Sequence, residues 1–423
     1  MSEKPLRFCM MTTFYPPYNF GGDGIFVHRL SNELARRGHR VDVIHCQDAY
    51  RALAGAEPTA AYDDHPNVTV HGLRSRFGFL SPLATQQTGR PYFKGAAIRR
   101  ILQDDFDVIH FHNISLLGPG VLKYGRGVKL YTMHEYWLVC PTHVLFRFGS
   151  AACERPYCFA CTLAHKRPPQ WWRYTGLLAS AVKNVDAFIA PSRFSKERHR
   201  AMGLTAPIVQ LPHFVPAPSD SPWPAESDTG AENDRYFFFV GRLEKMKGVQ
   251  TLIPIFRRFP KARLLIAGTG NYAPELSRLA EGCGNIEFLG RCSEQRLERL
   301  YARAVAVIVP SLCYESFGLV AIEAFRSRTP VIVRDIGALS EIAAESGAGL
   351  TYRTDDELIA AMNALLEDDT NRRSLGERGR AAYEKNWTAG EHLNRYLTLI
   401  GDIAARRSRG INQSSVSATK MRA

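Results

Sequence analysis

The sequence predicts an α/β protein made of two Rossmann-like, doubly wound parallel-sheet domains that face each other across a cleft. Three observations lead there. At 423 residues the chain is too long for one ordinary hydrophobic core. A strand, a glycine turn, a helix and a second strand open the chain, and the same order restarts near residue 236. Between the two lies a stretch rich in proline and acids.

The elements follow in order. Leu6 to Met11 is an apolar run that ends in a turn with Pro16, Pro17, Gly21, Gly22 and Gly24. Val27, Leu30 and Leu34 then fall on one helical face, opening near Ile25, and Gly38 stands where a helix would stop. Val41–Ile44 is the next strand. Val68–Val70, Val108–Phe111, Lys129–Thr132 and Ala187–Ala190 continue the series. From Pro212 to Asp234 five prolines and five acids stand without one Lys or Arg, as a linker or extended loop would. Tyr236–Val240 restarts the pattern, a helical stretch near Val249–Phe259 follows, and Arg263–Ala267, Val305–Val309 and Val331–Val333 read as strands. The resulting division is a first domain at 1–212 with a Cys-rich segment at 140–161, a linker at 213–234, a second domain at 235–388, a helix at 389–406 and a disordered tail at 407–423.

Composition narrows the class. Hydrophobic residues are 45% and charged residues 22%, a globular balance. The apolar runs are too short for a transmembrane helix, and the first run is too poorly flanked for a signal peptide, so a cytoplasmic location is expected. The net charge of +13 suits nucleic acid, an anionic membrane face or phosphorylated ligands. Helix-turn-helix, zinc-finger and RNP patterns are missing, so nucleic acid is not expected.

The strongest chemical signal runs from Val305 to Phe325. A strand ends in Pro310-Ser311, and a loop leads to Glu315-Ser-Phe-Gly-Leu-Val320 and then Glu323. A helix beginning near Ser316 to Gly318 would turn free N–H groups towards a ligand. Eight residues of continuous helix would separate Glu315 from Glu323 by ~12 Å, far enough for one carboxylate to take a sugar and the other a ribose. Gly241-Arg-Leu-Glu-Lys-Met-Lys-Gly248 follows the first strand of the second domain. Arg242 offers a planar fork and Lys247 a point charge to a departing diphosphate. Gly22, within Gly21-Gly-Asp-Gly24, would let backbone approach a ligand. Gly268 and Gly270 follow another strand and would meet the nucleotide. His134, past the strand Lys129–Thr132, sits where ligands bind in open α/β sheets.

Together these runs resemble glycosyltransferase family 4, retaining enzymes of the GT-B fold, over roughly residues 6 to 400. The resemblance implies that Gly241, Arg242 and Lys247 hold a donor diphosphate and that Glu323 binds the ribose. Glu315 and the Ser316-Phe317-Gly318-Leu319-Val320 run would hold sugar and phosphate. Gly22 would approach the diphosphate, and His134 would lie at the reacting carbon. Residues 389–406 would cross back to the first, acceptor-side domain. The implied donor is a UDP- or GDP-sugar and the implied acceptor a glycan or lipid-linked glycan, in polysaccharide, lipopolysaccharide or glycolipid synthesis, with no catalytic metal. A nucleotide-sugar epimerase and a non-catalytic sugar-nucleotide binding protein are the alternatives. Two departures stand out: Leu211-Pro-His-Phe-Val215 replaces an Asn-Gly pair common at the domain junction, and the Cys140 to Arg173 stretch looks particular to a subgroup.

Cys140, Cys153, Cys158 and Cys161 end in a C-x-x-C and suit a structural zinc of four thiolates. Four buried free thiols, or a redox pair at Cys158 and Cys161, are the competing readings. Lys166, Arg167, Trp171, Trp172, Arg173 and Tyr174 interleave bases and aromatics, as does an interface with anionic headgroups. Arg74, Arg76, Arg90, Lys94, Arg99 and Arg100 add charge to the same domain. Solvated faces with both tryptophans in the core are the alternative.

Overall fold

The computed structural model describes residues 4–218 and 235–410. The first domain carries β1 (Arg7–Met11), β2 (Arg40–Cys46), β3 (Val68–Leu73), β4 (Val108–Phe111) and β5 (Val128–Thr132). It continues with a short hairpin, β6 (Phe146–Arg147) and β7 (Ala151–Ala152), then β8 (Ala187–Ala190) and β9 (Ile208–Gln210). Its seven-stranded sheet has the order β3-β2-β1-β4-β5-β8-β9, and all its pairings are parallel. The second domain carries β10 (Tyr236–Val240), β11 (Arg263–Ala267), β12 (Ile286–Gly290), β13 (Ala306–Val309), β14 (Val331–Arg334) and β15 (Gly349–Tyr352). They form a second parallel sheet in the order β12-β11-β10-β13-β14-β15. The predicted α/β class with two doubly wound sheets is therefore the class observed.

Parallel strands covered on both faces read as unbroken apolar runs, and these do. Phe237 and Phe238 of β10 are fully buried, as are Ile308 of β13 and Ile332 of β14. Each sheet thus has two apolar layers, one on each face. The C-terminal helix, Ala389–Ser408, places Leu393, Tyr396, Ile400 and Ile403 in a layer of the first domain, beside Phe8 and Val108. The preceding helix, Asp369–Asn386, stays with the second domain, and Trp387 at its end stacks on Phe325 at 5.8 Å.

Strand order reverses direction at β1/β4 in one sheet and at β10/β13 in the other. Loops leaving the carboxyl ends of such strands splay apart and leave a crevice. The chain therefore gathers five loops at one place: those after β1, β4, β5, β10 and β13.

Several boundaries differ from the expectations. Residues 213–218 are no free linker: Phe214 and Val215 are fully buried, and Val215 N–H donates to the Trp387 carbonyl. Residues 219–234 lie outside the described residues, as do 411–423 of the tail. Arg407 and Ser408, placed in the tail by composition, still belong to the last helix. The first helix begins at Gly22. The stretch from Val249 is a short turn followed by a helix only at Ile253–Arg257, because Pro254 sits in its first turn.

Candidate active site

The lower wall of the crevice comes from the first domain. The helix Gly22–Arg36 starts directly after the glycine turn, and Asp23 in its first turn accepts a hydrogen bond from Asn113 Nδ2 at 2.8 Å. That bond ties the turn after β1 to the loop after β4. A Cβ on Gly22 would meet only Leu319 Cδ1 of the second domain, at 3.6 Å. Gly22 therefore faces the start of the opposing helix, Leu319–Arg326.

His134 follows β5 and stands in a row of imidazoles. His112 Nδ1 is 2.9 Å from His134 Nε2, and His134 Nδ1 is 3.1 Å from His213 Nε2. The outer nitrogens of the row, His112 Nε2 and His213 Nδ1, are buried without a hydrogen-bond partner among the described residues. Burial pulls His134 down to about 4, against a small opposing effect from Asp23. Both its ring nitrogens are engaged by neighbours, so its link to the second domain runs through its carbonyl, which accepts from Ser316 Oγ at 2.6 Å.

The upper wall is the second domain. Gly248, at φ +79, lets the loop after β10 lie against Pro310; a Cβ there would sit 2.0 Å from the Pro310 carbonyl oxygen. This close approach sets Lys247 beside the loop after β13. Lys247 Nζ donates to Glu315 Oε1 at 2.7 Å, and Ser311 Oγ donates to the same oxygen at 2.7 Å. Burial by itself would raise the Glu315 carboxyl, but Lys247 and Ser311 hold it below its ordinary value. Burial likewise lowers the Lys247 ammonium, and the charge of Glu315 more than reverses this. Arg242 is half-exposed and pairs with Glu244 at 3.0 Å; it does not touch Glu315.

Glu315 lies in the loop, because the helix starts only at Leu319. The helix thus begins just past the Ser316 to Gly318 stretch where the sequence places its start, and Gly318, at φ +136, turns the chain into it, a backbone setting that other residues rarely adopt. Glu323 remains on the helix. Its Oε2 accepts from Tyr301 OH at 2.7 Å, and its Oε1 lies 3.7 Å from Arg29 Nη1 of the first domain. Phe317 is buried with its ring edge-on to His213 at 5.4 Å. The first N–H groups of any helix lack an intrahelical acceptor, and Leu319 and Val320 are the first helical residues here.

Gly268 and Gly270 follow β11. A Cβ on Gly268 would lie 1.9 Å from the Gly241 carbonyl oxygen, and one on Gly270 would lie 2.3 Å from that of Leu243. Their small size first lets two loops stack, so the close approach lies between the loop bearing Gly241 and Arg242 and its neighbour.

Three further contacts hold the walls together. Ser192 Oγ donates to the Ser316 carbonyl at 2.7 Å, and Tyr136 OH to the Glu315 carbonyl at 3.2 Å. The Glu341 carboxylate accepts from the N–H groups of Arg193 and Phe194, each at 2.7 Å. Those two open the helix Arg193–Ala201, so a carboxylate of one domain caps a helix of the other. Arg29, Tyr301 and Ser192 belong to none of the sequence motifs. Only Arg29 left a trace, since Gly22, Phe26 and Arg29 share a helical face. Tyr301 and Ser192 approach the site only through tertiary packing.

The four clustered cysteines line a common pocket with Leu145, Phe146 and Met202. Their segment has little core of its own: a small cluster of Tyr136, Cys140, Leu145 and Cys153. All four are free cysteines. Among the described residues no three His, Cys, Asp or Glu groups are arranged to hold a metal ion. The sulfurs turn to other partners: Cys140 Sγ is 3.2 Å from Thr142 Oγ1, and Cys161 Sγ accepts from Phe148 N–H at 3.4 Å.

Two Rossmann-like domains with cations, carboxylates and a helix start around one crevice define a glycosyltransferase of the GT-B class. The family models agree: Glycosyltransferase Family 4 matches residues 20–217 and Glycosyl transferases group 1 matches residues 225–382. The chain is a family 4-type GT-B glycosyltransferase. It is 26% identical over 365 residues to the phosphatidyl-myo-inositol mannosyltransferase of Mycolicibacterium smegmatis, covering 84% of each chain. It is 26% identical over 412 residues to glycogen synthase of Mycobacterium tuberculosis, covering 90% of this chain and 92% of that one. Among solved structures, sucrose-phosphate synthase of Thermosynechococcus elongatus superposes with a TM-score of 0.73 at 19% identity, over 95% of this chain and 99% of that one. Anabaena HepE in complex with UDP-glucose superposes with a TM-score of 0.66 at 17% identity, over 96% of this chain and all of that one.

Proposed function

We propose that the chain moves a sugar, with retention, from a UDP- or GDP-sugar to a hydroxyl of a glycan or lipid-linked glycan. The observation that carries this reading is the Lys247–Glu315 pair beside the start of the helix Leu319–Arg326, with Gly22 across from it. A leaving nucleoside diphosphate gains charge in the transition state. Lys247, Arg242 and the helix start are cations and dipoles fixed where that charge would form. Glu315, anionic at neutral pH, accepts sugar hydroxyls. Glu323 accepts the ribose once its contact with Arg29 gives way. The row of neutral imidazoles keeps the floor of the crevice uncharged beside a developing oxocarbenium ion. Attack from the leaving-group side is the proposed course. The phosphatidyl-myo-inositol mannosyltransferase relative supports a lipid-linked acceptor, and the neighbour bound to UDP-glucose supports a nucleotide-sugar donor.

A panel of UDP- and GDP-sugars screened for thermal stabilisation tests donor binding. NMR of the product of the best donor then reads the anomeric configuration. Stabilisation by one donor and a product of the same configuration are expected. An inverted product removes retention, and a panel without effect removes the donor assignment.

A further inference from the structure

The first domain carries a surface that the transfer chemistry does not use. Of the seventeen large apolar side chains exposed among the described residues, twelve fall in residues 77–93 and 148–174. Phe79 is 64% exposed, Tyr92 69%, Trp171 57% and Tyr174 62%. The two segments are fastened together. Trp172 Nε1 donates to the Gln86 carbonyl at 2.9 Å, and Gln86 Nε2 to the Pro168 carbonyl at 2.8 Å. Trp172 is buried by this packing, whereas its neighbour Trp171 points outward with Phe159 at 6.1 Å and Tyr174 at 6.4 Å.

The charge on this face is mainly positive. Residues 65–103 contain no Asp or Glu, and neither do residues 155–185, although both stretches carry several Lys and Arg. Beside the aromatic segment lies a pocket of about 580 Å³ lined by Arg51, Arg74, Arg76, Asp48, Ser75 and Phe79. Asp48 is neutralised by Lys94 at 2.8 Å, and Arg51 by Glu57. Arg74 and Arg76 form no ion pair among the described residues. Arg76 instead stacks over Phe77 at 4.9 Å. Exposed apolar patches on monomers are small unless something covers them, and a patch whose fringe is mainly cationic repels other basic surfaces.

We propose that this face docks on an anionic lipid leaflet, with Arg74 and Arg76 on headgroup phosphates and Phe79, Tyr92, Trp171 and Tyr174 in the interfacial layer. Tyr and Trp rings favour that layer because one end is apolar and the other polar, and Phe79 adds an apolar ring to it. Arginine suits phosphate because its fork donates twice. The docking brings the acceptor-side domain to the layer in which a lipid-linked glycan would present its hydroxyl, and to that extent it rests on the proposed function.

Flotation of the full chain tests it, with phosphatidylcholine vesicles holding about 30 mol% phosphatidylglycerol set against phosphatidylcholine alone. The parent is expected to float with the anionic vesicles only, and to be released at about 0.5 M salt, where screening shortens the reach of charge. R74A/R76A is expected to partition roughly thirtyfold more weakly. W171S/Y174S is expected to weaken binding without changing the requirement for anionic lipid. Both variants should keep the parental melting temperature and the parental stabilisation by nucleotide sugar, which shows that they fold. Absence of flotation, equal capture by neutral vesicles, unchanged flotation of both variants, or equal retention by polyadenylate would each overturn the proposal. Nucleotide-sugar stabilisation is read separately, so failure of the transferase reading cannot be mistaken for failure of docking.

Discussion

Lys247 Nζ and Glu315 Oε1 meet at 2.7 Å, although sixty-eight residues separate them in the chain. Two loops from neighbouring strands, β10 and β13, bring them together, and Ser311 completes the contact. An ammonium and a carboxylate so joined are both charged at neutral pH, which is the state that binding a diphosphate and sugar hydroxyls needs.

Removing one partner leaves the other without its counter-charge. K247M is expected to lower kcat/KM by about 10²–10³, the cost typical of losing one fixed donor to developing charge. It should also cost about 1–3 kcal/mol of stability, because both groups are only partly exposed. K247M/E315Q should regain part of that stability and none of the activity. Urea unfolding and steady-state rates on the three proteins separate the two effects. Near-parental turnover of K247M would mean that the donor diphosphate sits elsewhere.

Two glycines should respond in opposite ways to the same substitution. G268A forces a Cβ to 1.9 Å from the Gly241 carbonyl oxygen at φ +134, so it should fold poorly, with a melting temperature lower by several degrees. G22A meets only Leu319 Cδ1 at 3.6 Å and should fold like the parent. If the diphosphate lies against Gly22, the added methyl group raises KM for the donor. A parental KM in a well-folded G22A places the diphosphate away from that turn.

Acid should unfold the protein earlier than its carboxylates alone would require. Burial pulls His45, His134, His199 and His392 down to about 4, and His110, His112 and His213 also fall well below their ordinary value. The unfolded chain takes up protons near 6.5, whereas the folded chain refuses them until a much lower pH. The unfolded state therefore binds more protons in that window, and stability falls as pH falls. Stability is expected to be level above about pH 7 and to decline from about 6.5 towards 4. Urea midpoints across pH 4–8 measure this, with H392Q flattening part of the slope. Equal midpoints at about pH 5 and pH 7 would contradict it.

The Cys-lined pocket carries a prediction about metal. A zinc ion held by the four thiolates would make a closed site and order a segment with little core. One zinc per chain is expected on metal analysis of the purified protein, and C158S/C161S should lose it together with several degrees of melting temperature. A parent without zinc or iron, whose four thiols react with alkylating reagent once unfolded, shows that packing alone holds the segment.

Much of the fold could be read from local pattern. The restart at Tyr236 is visible because a parallel strand buried on both faces must be apolar throughout, and a glycine must follow where the chain turns into a helix. β9, β12 and β15 escaped notice. β9 and β15 lie at sheet edges, where Val209 and Thr351 are exposed, and a strand with mixed burial looks like a loop. The proline-rich run reads locally as a linker from residue 213, yet Phe214 and Val215 anchor the joint.

The two-domain α/β class, many strand ends and the residue types that suit a sugar nucleotide are written in periodicity, glycine placement and charge within short windows of chain. Which groups meet depends on how the two domains pack. Arg29 reaching Glu323, Ser192 holding Ser316 and Glu341 capping the helix Arg193–Ala201 join residues more than a hundred positions apart. Such partners are chosen by how two sheets and their helices pack, and a hydrogen bond across a cleft leaves no period in the chain that makes it.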